Sequence, residues 1–383
     1  MIPAQSASGL FDPPLTVLYL IKGLGLGGAE QLLVQQVEHR DRGLVEPAVA
    51  YLLPAKSALA ARLEAEGCHP VRCLGATSSW DPRWVGRLRR MIHSHHFDLI
   101  HVHSPLVAVG ARLAVGSLPP GRRPRIVVTE HNVWPSHARL TRLADRLTAG
   151  RSEVHLAVSA AVEESLPARI RRRSRVVRYG IDTAAVRRAG ADPRAARARL
   201  GVRDDEILIG TVANLRATKG YPDLLEAARA VLDRVPNARF VAVGRGPLEA
   251  ELREQHARLK LGTRFHFLGF RPAAVPVMAG FDIFCLPSHH EGLPVALMEA
   301  LALGLPSVVT RVGGVTELVT DGDDAVVVPP GQPALLAGAL TSLALDPVRR
   351  DAIARRARAR ADTFDSGRAE QTIEGVYREM VGR

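Results

Sequence analysis

The sequence has few cysteines, and they are far apart. Cys68, Cys73 and Cys285 are the only ones in 383 residues. A disulfide framework or a zinc site needs more cysteines at closer spacing, so the sequence excludes both. We therefore expect a protein of a reducing compartment.

The sequence also shows no signal-peptide pattern and no long apolar run. Residues 1–14 have neither a basic start nor an apolar core, so they are predicted to be a flexible tail and not a signal peptide. No uncharged apolar run reaches the roughly 20 residues that a membrane-spanning helix needs. A cytoplasmic location is expected, with peripheral attachment to the inner face of a membrane left open.

Lysine is scarce although the chain is basic. The net charge is +12, yet only Lys22, Lys56, Lys219 and Lys260 are lysines among 51 basic residues. Such an arginine bias favours genome composition over nucleic-acid binding as its cause, so no nucleic-acid partner is expected. Six arginines within residues 169–178, with no acid among them, are either a solvated face or a contact with an anionic membrane.

Strand-like apolar runs alternate with helical patterns along almost the whole chain. This alternation is typical of parallel sheets covered by helices on both faces. A first series spans residues 15–183 and a second spans 184–365. We predict an α/β protein of two Rossmann-like domains that face each other across a cleft, outside the carboxyl ends of their strands. Single helices are predicted over residues 160–168 and 187–199.

The stretch 288–304 carries the strongest chemical signal. It follows the strand-like run Ile283–Leu286, and Pro294 suits the first position of a helix. A helix N-terminus offers unpaired N–H groups that bind an anion. Glu291 in the loop and Glu299 in the helix flank that position. A ligand that touches both glutamates is long, with an anionic middle and hydroxyl groups at both ends, as in a nucleotide-diphosphate sugar.

The structural alternative is a core helix with two incidental glutamates. Glu299 argues against it, because this residue interrupts an otherwise apolar helix. A buried carboxylate without a partner is costly, so Glu299 is expected to have a hydrogen-bonding partner.

Two cations follow the first strand of the second series. Arg216 and Lys219 are three residues apart on a predicted turn, where they suit the binding of a leaving diphosphate. Surface charge is the alternative, and the scarcity of lysine argues against it for Lys219. The sequence has no Asp-x-Asp motif, since 204–205 and 323–324 are adjacent pairs. No essential metal is expected, because the cations take its place.

The segment Gly23–Gly28 fits the pattern G-x-G-x-x-G between a strand and a helix. This pattern is the dinucleotide fingerprint, so a dehydrogenase has to be considered. The fingerprint expects an acid at the end of the second strand, but that strand ends in Tyr51–Pro54. We favour Gly27 and Gly28 as the close approach to a donor diphosphate, and a tight turn that needs glycine is compatible with both interpretations.

Three histidines lie on strands of the first series. His131 ends the run 125–130, where it is either structural or a hydrogen-bonding group in the cleft. His101 and His103 alternate on one strand face, which suggests a metal. No third ligand is evident at suitable spacing, so both remain structural or acceptor-side candidates.

The pattern Ser-x-x-Glu-Gly-x-Pro…Glu-Ala-x-Ala-x-Gly-x-Pro, which places Glu291 and Glu299, resembles the donor-binding motif of family 4 glycosyltransferases. These are retaining enzymes of the GT-B fold. The segment Gly27–Glu30 is similar to the glycine loop of their first domain, and Arg216–Gly220 is similar to their phosphate clamp. The resemblance covers nearly the whole chain after residue 15.

The resemblance implies a hexosyltransferase-like reaction. A glycosyl group passes from a nucleotide-diphosphate sugar to an acceptor hydroxyl with retention, without a cofactor or metal. The sequence does not identify the acceptor: a lipid-linked or envelope glycan, met at an anionic membrane, and a soluble sugar or small molecule both stay open. The last helix, about 366–383, is expected to pack on the first, acceptor-side domain.

Roles follow from the resemblance and the residue chemistry together. Cations and the helix N-terminus stabilise the leaving diphosphate, Glu299 binds ribose hydroxyls, and Glu291 holds the sugar. The implied catalytic residues are His131, Glu291, Arg216 and Lys219. The implied donor-binding residues are Gly27, Gly28, Arg216, Lys219, Gly244, Phe270, Glu291, Gly292, Leu293, Pro294 and Glu299.

Three other functions stay open. A glycoside hydrolase uses two carboxylates and needs no phosphate clamp, so dependence on a donor separates it. A nucleotide-sugar epimerase shares the fold and acts without an acceptor. A nucleic-acid-binding protein predicts steep salt dependence and no turnover.

Overall fold

The computed structural model describes residues 13–78, 80–364 and 366–382, and the chain forms two compact units. The first unit comprises the chain up to Gly180 together with the segment that begins at Ser366. The second unit spans Ile181–Asp365. The predicted flexible tail, residues 1–14, lies outside the described residues as far as residue 12.

The first unit is built on a parallel sheet of seven strands. Its strands are β1 (Leu15–Ile21), β2 (Val45–Tyr51), β3 (Val71–Cys73), β4 (Leu99–His103), β5 (Arg125–Glu130), β6 (Val154–Ala157) and β7 (Ser174–Val176). They lie in the order β3-β2-β1-β4-β5-β6-β7. The central strands β1 and β4 are buried throughout apart from Thr16, as a sheet covered on both faces requires.

Helices connect the strands of the first unit. They are α1 (Gly28–Glu38), α2 (Ala60–Ala65), α3 (Arg83–Ser94), α4 (Pro105–Gly116), α5 (Arg139–Thr148), α6 (Ala160–Ser165) and α7 (Ala168–Arg171). Because each helix carries the chain back between parallel strands, the loops that follow the strands gather at one edge of the sheet.

The second unit has a parallel sheet of six strands, in the order β10-β9-β8-β11-β12-β13. The order reverses between β8 and β11, which is where open α/β sheets bind their ligands. The strands are β8 (Ile207–Val212), β9 (Ala238–Val243), β10 (Phe265–Gly269), β11 (Ile283–Leu286), β12 (Ser307–Thr310) and β13 (Val326–Val328). The helices are α8 (Thr183–Ala189), α9 (Pro193–Arg199), α10 (Tyr221–Arg234), α11 (Glu249–Arg258), α12 (Val275–Met278), α13 (Val295–Leu303), α14 (Val315–Leu318), α15 (Pro333–Leu345) and α16 (Pro347–Ala361).

The last helix, α17 (Ser366–Val381), belongs to the first unit. The hydroxyl of Tyr377 lies 2.5 Å from Nδ1 of His101 on β4, and it accepts a hydrogen bond from Gln36 on α1. Glu374 accepts a hydrogen bond from the Asp41 N–H at 2.6 Å. These contacts attach the end of the chain to the sheet on which the chain began.

Two predicted helices are interrupted in the structure. The predicted helix 187–199 is divided into α8 and α9, because Asp192 caps a new helix by accepting from the Ala195 N–H at 2.8 Å. The predicted helix 160–168 is divided into α6 and α7 at Pro167, which precedes α7 in an extended conformation. A proline disfavours helical geometry in the residue before it, so both breaks have a local cause.

The α/β class with two Rossmann-like units confirms the predicted fold class. Among the described residues, no helix combines the length and apolar character needed to cross a bilayer.

Candidate functional site

Loops at the carboxyl ends of four strands are joined by backbone hydrogen bonds in the second unit. The loop after β8 bonds to the loop after β9 through the Leu215 N–H and the Arg245 carbonyl, at 3.1 Å. The same loop accepts a bond at Thr218 from the His289 N–H of the loop after β11, at 2.9 Å. The loop after β12 bonds to Gly292. The chain segments that carry most of the predicted donor site are therefore held against each other.

Glycines make this close approach possible. A Cβ atom on Gly220, whose φ is +63°, would overlap the carbonyl oxygen of Pro287. Gly313, with φ of +47°, lies against the carbonyl oxygen of Glu291 in the same way. Gly244, which was predicted to bind the sugar donor, lies against the carbonyl oxygen of Ala213. Any side chain at these positions would push the loops apart, so the loop paths depend on glycine.

Glu291 and Lys219 form an ion pair in this structure. Lys219 Nζ lies 2.7 and 2.8 Å from the two carboxylate oxygens of Glu291, and Ser288 Oγ donates to Oε1 at 2.6 Å. Glu291 is only 7% exposed, so its charge needs these partners. The predicted diphosphate ligand Lys219 is thus neutralised by the predicted sugar ligand, and the two residues act as one positioned pair.

Arg216 is the cation that this pairing leaves available. It is exposed and lies just before the tight turn Ala217–Lys219. Within the described residues it has no acidic partner. Its guanidinium therefore carries an uncompensated charge in the same loop as Lys219, three residues before it.

Helix α13 begins one residue later than predicted. Pro294 is extended and precedes the helix, which starts at Val295, because a φ of −79° and ψ of 102° are not helical. Gly292 and Leu293 are buried in the loop that leads into it. The predicted anion site at the start of this helix therefore involves N–H groups after Pro294, which has no N–H to offer.

Glu299 lies inside α13 among apolar residues and is partly exposed. The hydrogen-bonding partner expected for it is absent from the part of the chain that the structure describes. Burial accordingly raises the pKa of Glu299 to about 7. An acid of this kind is ready to accept or donate a hydrogen bond to a ligand.

Phe270 follows β10 and is 37% exposed. It is preceded by Gly269, whose φ of +70° turns the chain sharply at the end of the strand. An exposed aromatic ring at a strand end suits stacking against a planar group.

In the first unit, His131 directly follows β5 and is held by a second histidine. His131 Nε2 lies 3.0 Å from Nδ1 of His103, and the two rings stack at 5.3 Å. Burial lowers the pKa of His131 to about 4, so the ring is neutral at physiological pH. His101 lies 2.6 Å from Thr129 and is bonded to Tyr377, which makes it structural.

The three histidines do not form a metal site. His131 and His103 share a hydrogen bond, and burial lowers the pKa of His103 well below its usual value. No cluster of metal-ligating side chains occurs in residues 13–78, 80–364 and 366–382.

The predicted glycine loop in the first unit has an acid of its own. Gly27 caps α1 and Gly28 begins it. The Glu30 carboxylate folds back against Gly27 at the start of the helix, where an anion is favoured. In this structure a protein carboxylate therefore lies at the end of the helix where the sequence predicted a diphosphate.

Two features of the site were not predicted. Gly313 shapes the loop after β12, and the pair Gly313–Gly314, separated from the end of that strand by two residues, was the available signal. His289 Nε2 lies 2.6 Å from Asp223 Oδ2 on α10, a contact that no local pattern indicates.

Known proteins match this chain over most of its length. Residues 26–185 match the family described as Glycosyltransferase Family 4, and residues 192–360 match Glycosyl transferases group 1. D-inositol 3-phosphate glycosyltransferase of Acidothermus cellulolyticus is 31% identical over 80% of this chain and 70% of its own. The protein of the same name from Kribbella flavida is 34% identical over 61% of this chain. That match spans just over half, 56%, of the length of the Kribbella protein.

A solved structure agrees in fold over nearly the whole chain. Anabaena Alr3699/HepE in complex with UDP-glucose is 25% identical, with a TM-score of 0.82, over 94% of this chain and 99% of the other. Both sequence families and the fold thus point to one assignment, which the motifs of the second unit predicted. This chain belongs to the family 4 glycosyltransferases and has their GT-B fold.

Proposed function

We propose that this chain transfers a glycosyl group from a nucleotide-diphosphate sugar to an acceptor hydroxyl, with retention and without an essential metal ion. One observation carries the proposal. The joined loops of the second unit carry Arg216, a cation without an acidic partner among the described residues, together with the Lys219–Glu291 pair. Helix α13 adds Glu299, an acid without a hydrogen-bonding partner among those residues. Phosphates, sugar hydroxyls and ribose hydroxyls are the groups that this set complements.

Arg216 and the first N–H groups of α13 supply the charge that a leaving diphosphate needs. Fixed donors of this kind stabilise charge that develops in the transition state without reorganisation. Lys219 contributes through Glu291, whose oxygens it already holds at 2.7 and 2.8 Å. The pair orients both side chains before the donor binds.

Retention is proposed without a covalent intermediate on Glu291. Both carboxylate oxygens accept from Lys219, and Oε1 also accepts from Ser288. A carboxylate with its lone pairs so engaged is a poor nucleophile. We therefore propose attack by the acceptor on the face from which the diphosphate departs, with Glu291 binding sugar hydroxyls.

His131 is proposed to bind the donor sugar as a neutral imidazole. Burial lowers its pKa to about 4, and its bond to His103 fixes the ring. A neutral ring donates or accepts a hydrogen bond without adding charge next to a developing oxocarbenium ion.

A uridine-diphosphate hexose is the donor class we propose, because the related Anabaena structure is a complex with UDP-glucose. The acceptor is proposed to be a hydroxyl of a lipid-linked or envelope glycan, at the cytoplasmic face of a membrane. The three cysteines are free thiols, which suits that compartment.

Transfer assays with UDP-, GDP- and dTDP-hexoses test the proposal. We expect release of nucleoside diphosphate that depends on an acceptor, and the acceptors to be tried are membrane lipid extracts and inositol phosphates. Product anomers identified by NMR report retention. Conversion of the donor to an epimer without an acceptor would indicate an epimerase and contradict the proposal. Cleavage of glycosides without a nucleotide would indicate a glycoside hydrolase and contradict it too.

Activity is expected to survive a chelator. Arg216 and backbone N–H groups supply the counter-charge of the diphosphate. Tenfold changes in the concentration of free magnesium or manganese should therefore leave kcat/KM unchanged. Turnover before and after EDTA treatment is the measurement. Complete loss with EDTA that magnesium or manganese restores would contradict metal independence.

Nucleotide binding is expected to strengthen as the pH rises through about 7. Burial raises the pKa of Glu299 to about 7, and an ionised carboxylate accepts ribose hydroxyls more strongly than a neutral acid. Since about a tenth of Glu299 is ionised at pH 6, the Kd should be roughly tenfold larger there than at pH 8. Glu299→Gln should remove this dependence, and Glu254→Gln, an exposed acid on α11, should keep it.

The same acid links stability to pH. Its folded pKa lies above the unfolded value, so its contribution to stability is full below about pH 4.5 and is lost as the pH rises through about 7. Unfolding at pH 5 and pH 8 should therefore differ less in Glu299→Gln than in wild type. An equal pH dependence in both proteins would show that Glu299 titrates normally.

A further inference from the structure

Helix α5 of the first unit exposes a stripe of leucines. Leu140, Leu143 and Leu147 are 68%, 56% and 75% exposed. Their spacing of three and four residues places them on one side of the helix. Isolated exposed leucines are ordinary, but three in one stripe form a patch that suits an apolar partner.

An arginine stripe lies beside the leucine stripe. Arg139, Arg142 and Arg146 follow on the adjoining face of the same helix, by the same helical period. The only acid of the helix, Asp145, is buried and paired with Arg112 of α4. The outer face of α5 is therefore apolar on one side, cationic on the next, and free of acids.

A cavity opens directly after α5. The turn Ala149–Arg151 continues the helix, and with His155 and the segment around α7 it lines a space of about 180 Å³. A water molecule occupies about 30 Å³ of liquid, so the cavity has room for a phosphate group. The other lining residues are Arg169, Ile170, Arg172 and Arg173.

The arginines of the cavity are available to an anion. Arg169 and Arg172 have no acidic partner within residues 13–78, 80–364 and 366–382. Arg173 donates to the carbonyl oxygens of Gly150 at 3.3 Å and Ser152 at 3.5 Å, which places its head at the turn. Guanidinium groups bind phosphate oxygens in pairs, so this lining suits a phosphate.

His155 is the buried polar group of the cavity. It is 1% exposed, and neither ring nitrogen makes a hydrogen bond in the described part of the chain. Burial lowers its pKa to about 3, although the nearby Ala149 carbonyl opposes this effect. The neighbouring Glu130, whose Oε1 lies 3.9 Å from Nδ1 of His155, has its pKa raised well above the usual value by burial. A buried polar group normally has a partner, and a phosphate oxygen would supply it.

We propose that this cavity binds the phosphate of an anionic phospholipid while the leucine stripe of α5 inserts into the interfacial layer of the bilayer. The cavity and the stripe are neighbours along the chain, because Leu147 is three residues from Gly150, which lines the cavity. An apolar stripe flanked by arginines is the pattern of a helix that lies in a membrane surface. This inference rests on the proposed function, because it locates the surface at which the enzyme would reach a lipid-linked acceptor. Binding of the protein to the membrane does not itself require glycosyl transfer.

Other occupants fit less well. A free phosphate would fill the cavity and leave the leucines unexplained. A second copy of the chain would cover the leucines, but a two-fold interface would bring the arginine stripes of both copies together. Of the arginine cluster 169–178, Arg175 pairs with Glu379 of α17, so the charge that faces the cavity is that of Arg169, Arg172 and Arg173.

Co-sedimentation of the full chain with vesicles tests the proposal. We expect at least tenfold more binding to vesicles with 30% phosphatidylglycerol in phosphatidylcholine than to pure phosphatidylcholine. R169Q/R172Q/R173Q should lose most of that gain, and L140Q/L147Q should reduce binding to both vesicle types. All five side chains are exposed, so the variants should fold, which circular dichroism checks.

Matched control variants separate binding at this site from the general effects of net charge and exposed apolar surface. R194Q/R199Q/R355Q removes the same charge from exposed positions of the second unit, and L335Q/L345Q removes two exposed leucines there. Both should keep binding within twofold of wild type. Equal loss in the controls would overturn the proposal.

Three further outcomes would also overturn it. Equal partitioning to neutral and anionic vesicles would leave the cavity without a lipid. A thermal shift with glycerol phosphate but no vesicle binding would indicate a free phosphate ligand. Loss of a dimer in L140Q/L147Q, seen by light scattering, would assign the stripe to a second copy. Vesicle binding without any transfer activity would instead count against the proposed function and leave the docking site in place.

Discussion

Replacing Arg216 and Lys219 together with alanine is expected to lower kcat/KM at least about a thousandfold, because each charge donor to a developing anion contributes about 2.7–4 kcal/mol. The two losses should combine less than additively, since Arg216 faces the leaving group and Lys219 acts on the same donor through Glu291. Arg234→Ala, an exposed arginine at the last turn of α10, is the matched control and should retain wild-type turnover.

The two single variants should differ in kind. Arg216→Ala removes an exposed cation without a protein partner, so only activity should fall. Lys219→Ala leaves Glu291, which is 7% exposed, with a buried charge and a single hydroxyl partner, so stability should fall too. Adding Glu291→Gln to Lys219→Ala should restore stability but not activity. Turnover near that of wild type in the double variant would remove these cations from the mechanism.

Replacing Arg112 with methionine is expected to destabilise the first unit by about 3–5 kcal/mol, because it leaves a buried charge without its partner. Arg112 and Asp145 are both fully buried. Arg112 also donates to Ser152 at 2.7 Å and Thr148 at 3.1 Å, so three groups lose their donor. Burial raises the pKa of Asp145 and Arg112 opposes that rise, so the variant should also bind a proton there.

The double variant R112M/D145L should recover much of that loss, because a well-packed apolar pair replaces a buried ion pair at little cost. The measurement is hydrogen exchange of the backbone amides of α4 and α5. It reports the stability of the first unit alone, whereas global unfolding of a chain with two units need not be a two-state transition. Arg146→Met, which replaces an exposed arginine on α5, is the control and should change exchange little. A double variant as unstable as Arg112→Met would mean that packing, not charge, dominates at this position.

Much of the fold was predictable because its strands are buried runs bounded by turn residues. Strands β4, β5, β11 and β12 begin and end where the apolar pattern does. The helix predicted over 187–199 was wrong although Asp192-Pro193 signalled a new start, because arginine and alanine on both sides favour helix equally. Element type follows local composition, whereas a break depends on one capping residue.

The site was less predictable because its decisive contacts join distant segments. Lys219 and Glu291 are 72 positions apart, and their pairing depends on the loops after β8 and β11 meeting. Sequence spacing placed both residues at strand ends but not against each other. The missing partner of Glu299 could not be predicted either, because it is a property of the surrounding packing.

The close approach of the loop backbones at Gly220, Gly244 and Gly313 separates the shape of the pocket from its chemistry. The loop paths are set by main-chain contacts, so the exposed side chains along them that make no contact between loops are free to vary without moving the frame. Substitutions at Phe270 and His290, which are exposed, would therefore retune which nucleotide or sugar is accepted while the frame persists. A library restricted to such positions, with the three glycines held constant, is a direct route to new donor preferences in this scaffold.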